Sequence, residues 1–228
     1  MRFSTIFVII FSMTATTQVK ADIVYNAGYV TQGNNGAVSS SYISGQTFTN
    51  ANYSSIINYI TMYMAKGSAV GTVSLSIYAV TPYTDRSGNS GYKPTGAALS
   101  TSNSIDASTL WTGAYTNQAT FTGFTYYELA ANTRYAYQLN TSGLTAGAVE
   151  VNAGALTNST TTGQNRFFSS NGGTSYDLTG DYNILSGFVD VTAVPEPTTL
   201  VLTGGALAAG AIGAYFNRRR RATQPATA

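Results

Sequence analysis

The chain has 228 residues, and its 11 lysines and arginines against 9 aspartates and glutamates give a formal net charge of +2. Residues 22–194 hold only 5 of those bases but 8 of the acids, so this block is net negative and lacks the basic face that nucleic-acid binding needs. Cysteine and histidine are absent, which excludes disulfide scaffolds, Cys/His zinc sites, haem ligation through these residues and histidine-activated nucleophiles.

The first 21 residues have the pattern of a secretory signal peptide. Arg2 precedes an apolar run at residues 3–13, and Val19 and Ala21 match the small residues that signal peptidase requires before its cleavage site. Cleavage between Ala21 and Asp22 would start the mature chain at Asp22. The alternative interpretation of this segment is a buried N-terminal strand or helix.

The block from 22 to 194 predicts an all-β domain. Threonine and tyrosine favour strands, glycine and asparagine close turns, and no segment keeps a helical period. The clearest strand is 72–80, in which apolar and polar residues alternate. A second strand, 55–66, has two predicted faces, one with Ile56, Ile60, Met62 and Met64 and the other with Tyr59, Thr61 and Tyr63.

About ten strands of this kind are expected, enough for two packed sheets in a jelly-roll-like β-sandwich. The remaining predicted strands are 22–26, 45–49, 97–102, 119–125, 133–140, 148–152, 166–169 and 184–192. Between strands, residues 81–96 combine prolines and glycines with no aliphatic side chain, which predicts a long surface loop. Residues 154–164 predict a second polar loop.

Enzymatic chemistry in this chain would have to rest on carboxylates. Glu128 and Glu150 are the two glutamates of residues 22–194, and a glycoside hydrolase needs two carboxyl groups on either side of the sugar bond. No local motif surrounds either residue, and the alternative is that both are solvated charges. We therefore expect no enzyme and no catalytic residue, with a carboxylate-based glycoside hydrolase as the least favoured function.

A calcium site is the one cofactor site that the sequence suggests. Asp177, Asp181 and Asn183 place oxygen ligands close together in a glycine-containing turn, and Ca²⁺ binds such oxygen donors. Their spacing does not match the EF-hand loop. An ordinary turn capped by aspartate side chains is the alternative.

Aromatic side chains suggest a surface that contacts sugars. Tyr59 and Tyr63 fall on the more polar face of their predicted strand, and Trp111 lies in or beside a turn. Flat rings on a rigid sheet can bind polysaccharide weakly and without catalysis. The alternative is that the second sheet or crossing loops cover these rings.

The segment 195–221 combines three features. The two prolines of Pro195, Glu196 and Pro197 bar a helix and keep this segment extended. Residues 198–216 carry no charge and as a helix would span roughly 28 Å, which matches a bilayer core. A basic cluster would then hold the following side in the cytoplasm, ahead of the polar tail 222–228. This cluster consists of Arg218, Arg219, Arg220 and Arg221.

In this order, the Val194-Pro195-Glu196-Pro197 motif, the apolar helix and the arginine cluster resemble the PEP-CTERM sorting signal of Gram-negative bacteria. The resemblance covers about 30 residues. It implies cleavage near the Pro-Glu-Pro by a membrane protease, exosortase, and an association with extracellular polysaccharide and biofilm. The alternative is an ordinary C-terminal anchor with a proline-containing stalk.

Residues 44–194 resemble the exported domains called choice-of-anchor R, which precede several kinds of surface-anchoring tail. The resemblance is carried by GQTFTN at 45–50, SIINYITMYM at 55–64, VSLSIYAV at 73–80, KPTGAALS at 93–100, LAANTRYAYQL at 129–139 and GFVDVTAVPEP at 187–197. Tyr135-Ala136-Tyr137 interrupts the aromatic pair that relatives often have after the Asn-Thr turn. The resemblance implies a β fold and no particular activity.

These observations predict an exported protein that is anchored transiently in the inner membrane of a Gram-negative bacterium and then moves to the cell surface or extracellular matrix. Its expected partners are signal peptidase, an exosortase-like protease and exopolysaccharide, and not nucleic acid. We expect a structural or adhesive role, with a non-catalytic carbohydrate-binding module as the alternative.

Overall fold

A computed structural model of the chain describes residues 21–27, 34–112, 117–154, 164–179 and 184–194, which all fall within one compact unit. The predicted all-β class with two antiparallel sheets is confirmed. In the described residues there are fifteen strands and a single turn of 3₁₀ helix, Ala107–Thr109.

Sheet 1 is built around one long central strand that carries two of the candidate aromatic residues. Its seven strands are β1 (Ala21–Ala27), β2 (Asn34–Val38), β4 (Ser55–Ala65), β8 (Gln118–Phe121), β11 (Val149–Gly154), β14 (Ile184–Leu185) and β15 (Gly187–Ala193). They follow the order β1-β15-β4-β11-β14, with β2 paired to β11 and β8 paired to β4. The central strand β4 pairs with β15 over residues 55–62 and, on its other side, with β8 and β11 over residues 60–65.

Sheet 2 is built around the longest strand of the domain, β5. Its eight strands are β3 (Ile43–Thr49), β5 (Val70–Thr84), β6 (Ser90–Thr101), β7 (Ile105–Asp106), β9 (Arg134–Asn140), β10 (Leu144–Ala146), β12 (Arg166–Ser169) and β13 (Asp177–Thr179). They follow the order β10-β5-β9-β3-β12-β13, and both β6 and β7 pair with β5.

The main core lies between the two sheets, where inward rows of apolar side chains form one buried cluster. Alternation along the strands produces these rows, because every second side chain points to the same face. Full burial of one such side chain contributes about 1.5–3 kcal/mol. The rows predicted from alternation in β4 and β5 are buried here, namely Ile60, Met62, Met64, Val73, Leu75 and Ile77.

One position of β4 departs from the predicted alternation. The pairing of β4 with β15 skips Asn58, which makes this residue a β-bulge. The extra residue reverses the inward and outward positions of the residues before it, so Ile57 packs against the core cluster in place of Ile56. The predicted position of Ile56 on the core face is therefore wrong, because strict alternation cannot anticipate an extra residue.

Residues 81–96 are not the surface loop that their composition predicted. They form most of a β-hairpin, in which β5 continues to Thr84 and β6 begins at Ser90. Pairing between β9 and β5 stops at Ala79, so the hairpin extends past its neighbour and tolerates prolines, which cannot donate to a ladder. Residues 81–96 therefore have the composition of a loop although they form an exposed hairpin. We name residues 80–95 the arm.

The turn at the tip of the arm is organised by one carboxylate. Asp85, 7% exposed, accepts hydrogen bonds from the backbone amides of Ser87 and Asn89 at 2.9 and 2.8 Å, and from the Asn89 side chain at 3.0 Å. A fourth bond, from the amide of Leu178 at 3.0 Å, fastens the tip to β13. The bond from the Asn89 side chain and those from the backbone amides hold the pKa of Asp85 below its usual value.

The base of the arm is fastened by an asparagine that substitutes for a strand neighbour. The Asn165 carboxamide oxygen accepts from the Tyr92 amide at 2.9 Å, and its nitrogen donates to the Tyr92 carbonyl at 2.8 Å. A paired strand would make the same two bonds. The arm is therefore held over sheet 2 at two points.

Beneath the arm, the outer face of sheet 2 has a second, smaller apolar cluster. Phe167, Leu178 and Ala136 are buried there, with side chains of the arm packed against them. Phe167 lies opposite Gly45 in the neighbouring strand, and a Cβ atom at Gly45 would be 2.2 Å from the ring. The glycine therefore makes room for the phenylalanine.

The remaining predicted strands agree with the structure in position more than in length. The predicted strand 97–102 corresponds to the end of β6, 119–125 ends at Phe121, and 184–192 is divided by Ser186 into β14 and β15. The short strands β2, β7, β10 and β13 were not predicted. The interior of the predicted loop 154–164 lies outside the described residues.

Candidate functional site

The outer face of sheet 1 carries two of the aromatic residues that were predicted to contact sugars. Tyr59 and Tyr63 lie on the face of β4 opposite the core residues, four positions or about 13 Å apart along the strand. Phe188 of β15 lies beside Tyr63, with the ring centroids 6.2 Å apart. All three side chains are partly exposed. We name this surface the open face; it consists of Tyr59, Thr61, Tyr63, Gln118, Thr120 and Phe188.

Polar groups on β8 and β4 lie next to these rings. The Gln118 side-chain nitrogen donates to the Tyr63 hydroxyl at 2.7 Å, and the hydroxyls of Thr61 and Thr120 are 3.2 Å apart. Cross-strand pairing explains this proximity, because Gln118 lies opposite Tyr63 and Thr120 opposite Thr61. The face thus combines flat apolar rings with amide and hydroxyl groups, a combination that suits the apolar faces and hydroxyl edges of sugars.

Trp111 lies beyond the end of β4 and not on the sheet. Its side chain is 59% exposed, and its carbonyl accepts a hydrogen bond of 2.8 Å from the amide of Lys66, the residue after β4. The structure therefore places an exposed indole at the end of the strand that bears Tyr59 and Tyr63.

The two candidate catalytic glutamates lie at opposite ends of β4. Glu128 precedes Leu129, which bridges Ser55 at the start of the strand, whereas Glu150 pairs with Ala65 at its end. Ten residue steps of extended chain correspond to about 33 Å. Glycosidases hold their two carboxyl groups within about 10 Å of each other. This pair cannot flank a single glycosidic bond.

One of the three candidate calcium ligands lies within the described residues. Asp177 is the first residue of β13 and pairs with Phe168, while Asp181 and Asn183 lie outside the described residues. Within the described ranges, no group of three or more acidic side chains is arranged to hold a metal ion.

The predicted signal-peptidase site lies at the start of a paired strand. Ala21 and Asp22 are the first two residues of β1 and pair with Thr192 and Val191 of β15. The Tyr53 hydroxyl donates to the Asp22 carboxylate over 3.4 Å. The start of the predicted mature chain is therefore next to the last strand of sheet 1.

The predicted sorting signal falls wholly outside the part of the chain that the structure describes. Pro195, Glu196, Pro197, the predicted membrane helix 198–216 and the cluster 218–221 all lie outside the described residues. Among the residues that are described, no helix has both the length and the apolar character needed to cross a membrane.

Sequence reasoning missed a polar group inside the sandwich. Arg166 is 4% exposed and donates from Nε to the Ser44 hydroxyl at 3.3 Å, and burial lowers the pKa of its guanidinium. Tyr25 and Tyr137 meet edge to face at 5.9 Å, the Tyr25 hydroxyl donates to the Leu185 carbonyl, and burial raises the pKa of both phenols. Alternation in the segment 166–169 predicts that Arg166 and Phe167 lie on opposite faces of the strand. Nothing in the segment indicates which of the two faces the main core.

Of the predicted site residues, the structure brings Tyr59 and Tyr63 onto one face and places Trp111 past the end of their strand. It separates Glu128 from Glu150 by most of the length of the sheet. No protein-family model matches the chain, and no curated protein is significantly similar to it.

Proposed function

We propose that this chain is exported to the cell surface or extracellular matrix of a Gram-negative bacterium, where it has a structural or adhesive role in exopolysaccharide or biofilm. The proposed precursor consists of a signal peptide at 1–21, a jelly-roll-like sandwich at 22–194 and a PEP-CTERM-like sorting signal. It has no catalytic activity. The resemblance of residues 194–221 to the sorting signal supports the proposed route and location.

The observation that carries the adhesive role is the open face. Tyr59, Tyr63 and Phe188 present partly exposed rings beside amide and hydroxyl groups on β4 and β15, two strands that pair with each other. A rigid surface loses little conformational entropy on binding, so weak contacts repeated along a polymer can add up. Matrix polysaccharide is the partner that suits such a surface.

A non-catalytic carbohydrate-binding module is the alternative function, and the same face supports it. In the adhesive role the domain itself is part of the matrix, whereas a module would only recognise a glycan. Deletion of the gene, followed by complementation with Tyr59→Ala/Tyr63→Ala protein, separates the two functions. The adhesive role predicts loss of biofilm or aggregates in the deletion strain and poor rescue by the variant, whereas normal biofilm without the gene contradicts it.

Binding is tested with the full chain in a detergent that has no sugar headgroup. Co-sedimentation with the host's own exopolysaccharide should be weakened in Tyr59→Ala/Tyr63→Ala, by about 0.5–1.5 kcal/mol for each ring removed. Tyr126→Ala is the matched control, because Tyr126 is 74% exposed but lies outside the open face. If wild type fails to co-sediment, or the control loses as much binding as the double variant, the open face is not the binding surface.

The proposed processing has its own measurement. Mass spectrometry of the protein released by cells should find an N-terminus at Asp22 and a C-terminus near Pro195, Glu196 and Pro197. Released protein that extends intact to Ala228 contradicts cleavage by an exosortase-like protease. Substitution of Arg218, Arg219, Arg220 and Arg221 by glutamine should cause the precursor to accumulate, since these charges fix the orientation of the predicted helix.

A further inference from the structure

A groove on the outer face of sheet 2 lies outside the open face and its proposed function. It has a volume of about 420 Å³, and it lies between β6 at the base of the arm and the loop before β13. Sites for small molecules usually measure about 300–1,000 Å³. A second cavity in the described part of the chain, about 90 Å³ around Tyr127 and Leu129, has room only for a few water molecules.

The groove has a floor of strand side chains and walls in which glycine leaves space. Tyr78 of β5 and Gln138 of β9 line it from the sheet, and Tyr176 lines it from the loop. Gly96 and Gly172 lie on the two walls, and a Cβ atom at either position would meet no other atom within 4 Å. The walls therefore open directly to solvent and leave the phenol and amide groups accessible to a ligand.

Charge distinguishes this side of the molecule from the open face. The strands of sheet 1 carry three carboxylates, Asp22, Glu150 and Asp190, and no lysine or arginine. The described residues that line the groove include one charged side chain, Lys93, and no carboxylate. Its ammonium lies 4.2 Å from the centre of the Tyr83 ring, which keeps it at the arm.

A second cation on the same face lies under the arm. Arg134 of β9 has its guanidinium 4.2 Å from the centre of the Tyr92 ring, and Tyr92 is the residue before Lys93. The net negative domain thus presents a local positive region on this face, with Lys93 in the lining of the groove itself. Such a region attracts anions and repels cations.

We propose that this groove binds an acidic sugar unit, a uronate, within a polysaccharide chain. The Lys93 ammonium would contact the carboxylate, and the hydroxyls of Tyr78 and Tyr176 with the Gln138 amide would hydrogen-bond to the sugar hydroxyls. Binding is non-covalent. The site is separate from the open face, so the domain would have two glycan-binding surfaces on opposite sides, as a protein that cross-links a matrix requires.

Calorimetric titration of the full chain at low salt, in a detergent without a sugar headgroup, tests the groove. The probes are an oligogalacturonate and a neutral galacto-oligosaccharide of equal length. The uronate oligomer should bind more tightly than the neutral one, and Lys93→Gln should weaken uronate binding about tenfold, as expected for a charge-assisted hydrogen bond. Added salt should also weaken the binding of the uronate oligomer to the wild type, because it screens the attraction between Lys93 and the carboxylate.

Two control variants keep the outcomes distinct. Arg86→Gln removes the same charge from the exposed tip of the arm and should leave uronate binding unchanged, as should Tyr59→Ala/Tyr63→Ala on the open face. The proposal that the groove binds a uronate is overturned by any of three results: equal affinity for the two probes, no uronate binding, or no effect of Lys93→Gln. An equal loss in Arg86→Gln also overturns it, by showing an effect of net charge alone. If only Tyr59→Ala/Tyr63→Ala loses uronate binding, the uronate binds on the open face and not in the groove.

Discussion

The two outer faces of the sandwich are covered to different extents. The arm crosses the outer face of sheet 2, buries Phe167 beneath it and is fastened by Asp85 and Asn165. On sheet 1 the rings of Tyr59, Tyr63 and Phe188 stay partly exposed. The outward-facing aromatic residues of the strands therefore support folding on sheet 2, whereas on sheet 1 they remain accessible to a ligand. The difference arises from a crossing segment and not from the strands themselves.

The largest expected difference between the faces comes from deleting one phenylalanine on each. Phe167→Ala should lower the free energy of unfolding by about 3–5 kcal/mol, because Phe167 is fully buried and leaves a cavity. Phe188→Ala should cost about 1 kcal/mol, since its ring is partly exposed. Urea unfolding of the full chain measures both values. Equal losses would mean that sheet 1 is covered as completely as sheet 2.

The next effect concerns the glycine under the Phe167 ring. Gly45→Ala should lower the free energy of unfolding by about 1–3 kcal/mol, because the new Cβ would lie 2.2 Å from that ring and 2.4 Å from the Tyr137 carbonyl oxygen. The double variant Gly45→Ala/Phe167→Ala removes the clash between the methyl group and the ring and leaves only the close contact with the Tyr137 carbonyl oxygen. Its cost should therefore be smaller than the sum of the two single costs. Strict additivity, measured by urea unfolding, would contradict the contact between ring and glycine.

The sequence predicted the uncovered face better than the covered one. Alternation placed Tyr59 and Tyr63 opposite Ile60 and Met62, because a strand with one buried face has a period of two. It could not show that residues 81–96 form an arm, since a hairpin held by Asp85 and Asn165 needs few apolar side chains of its own. These tertiary hydrogen bonds join residues about 70 to 90 positions apart, which local patterns do not record.

A smaller effect should appear in the pH dependence of the arm. The pKa of Asp85 is lower in the folded chain than its usual value of about 3.9, so its stabilising contribution is complete above that value and is lost as the pH falls through the folded pKa. Asp85→Asn should therefore be less stable than wild type at neutral pH, and the difference should shrink in acid. Hydrogen exchange at the Leu178 amide, which bonds to Asp85, reports the same loss locally.

Asp106→Asn is the control for that experiment. The Asp106 carboxylate accepts from the Ser108 amide at 2.8 Å, which also lowers its pKa, but it caps the exposed 3₁₀ turn. Its substitution should leave exchange at Leu178 unchanged at every pH. If Asp85→Asn shows the same pH dependence as wild type, the carboxylate does not hold the arm in place.

The smallest expected effect is the removal of one hydroxyl from the open face. Tyr63→Phe should change the free energy of unfolding by less than about 0.5 kcal/mol, because water can replace the hydroxyl as acceptor for the exposed Gln118 amide. Tyr25→Phe should cost about 1 kcal/mol or more, since its buried hydroxyl donates to the Leu185 carbonyl and no water can take its place. Urea unfolding of the two variants compares a surface phenol with a core phenol. A Tyr63→Phe loss as large as that of Tyr25→Phe would show that the Tyr63 hydroxyl is shielded from solvent, and a shielded phenol could not contact a polysaccharide.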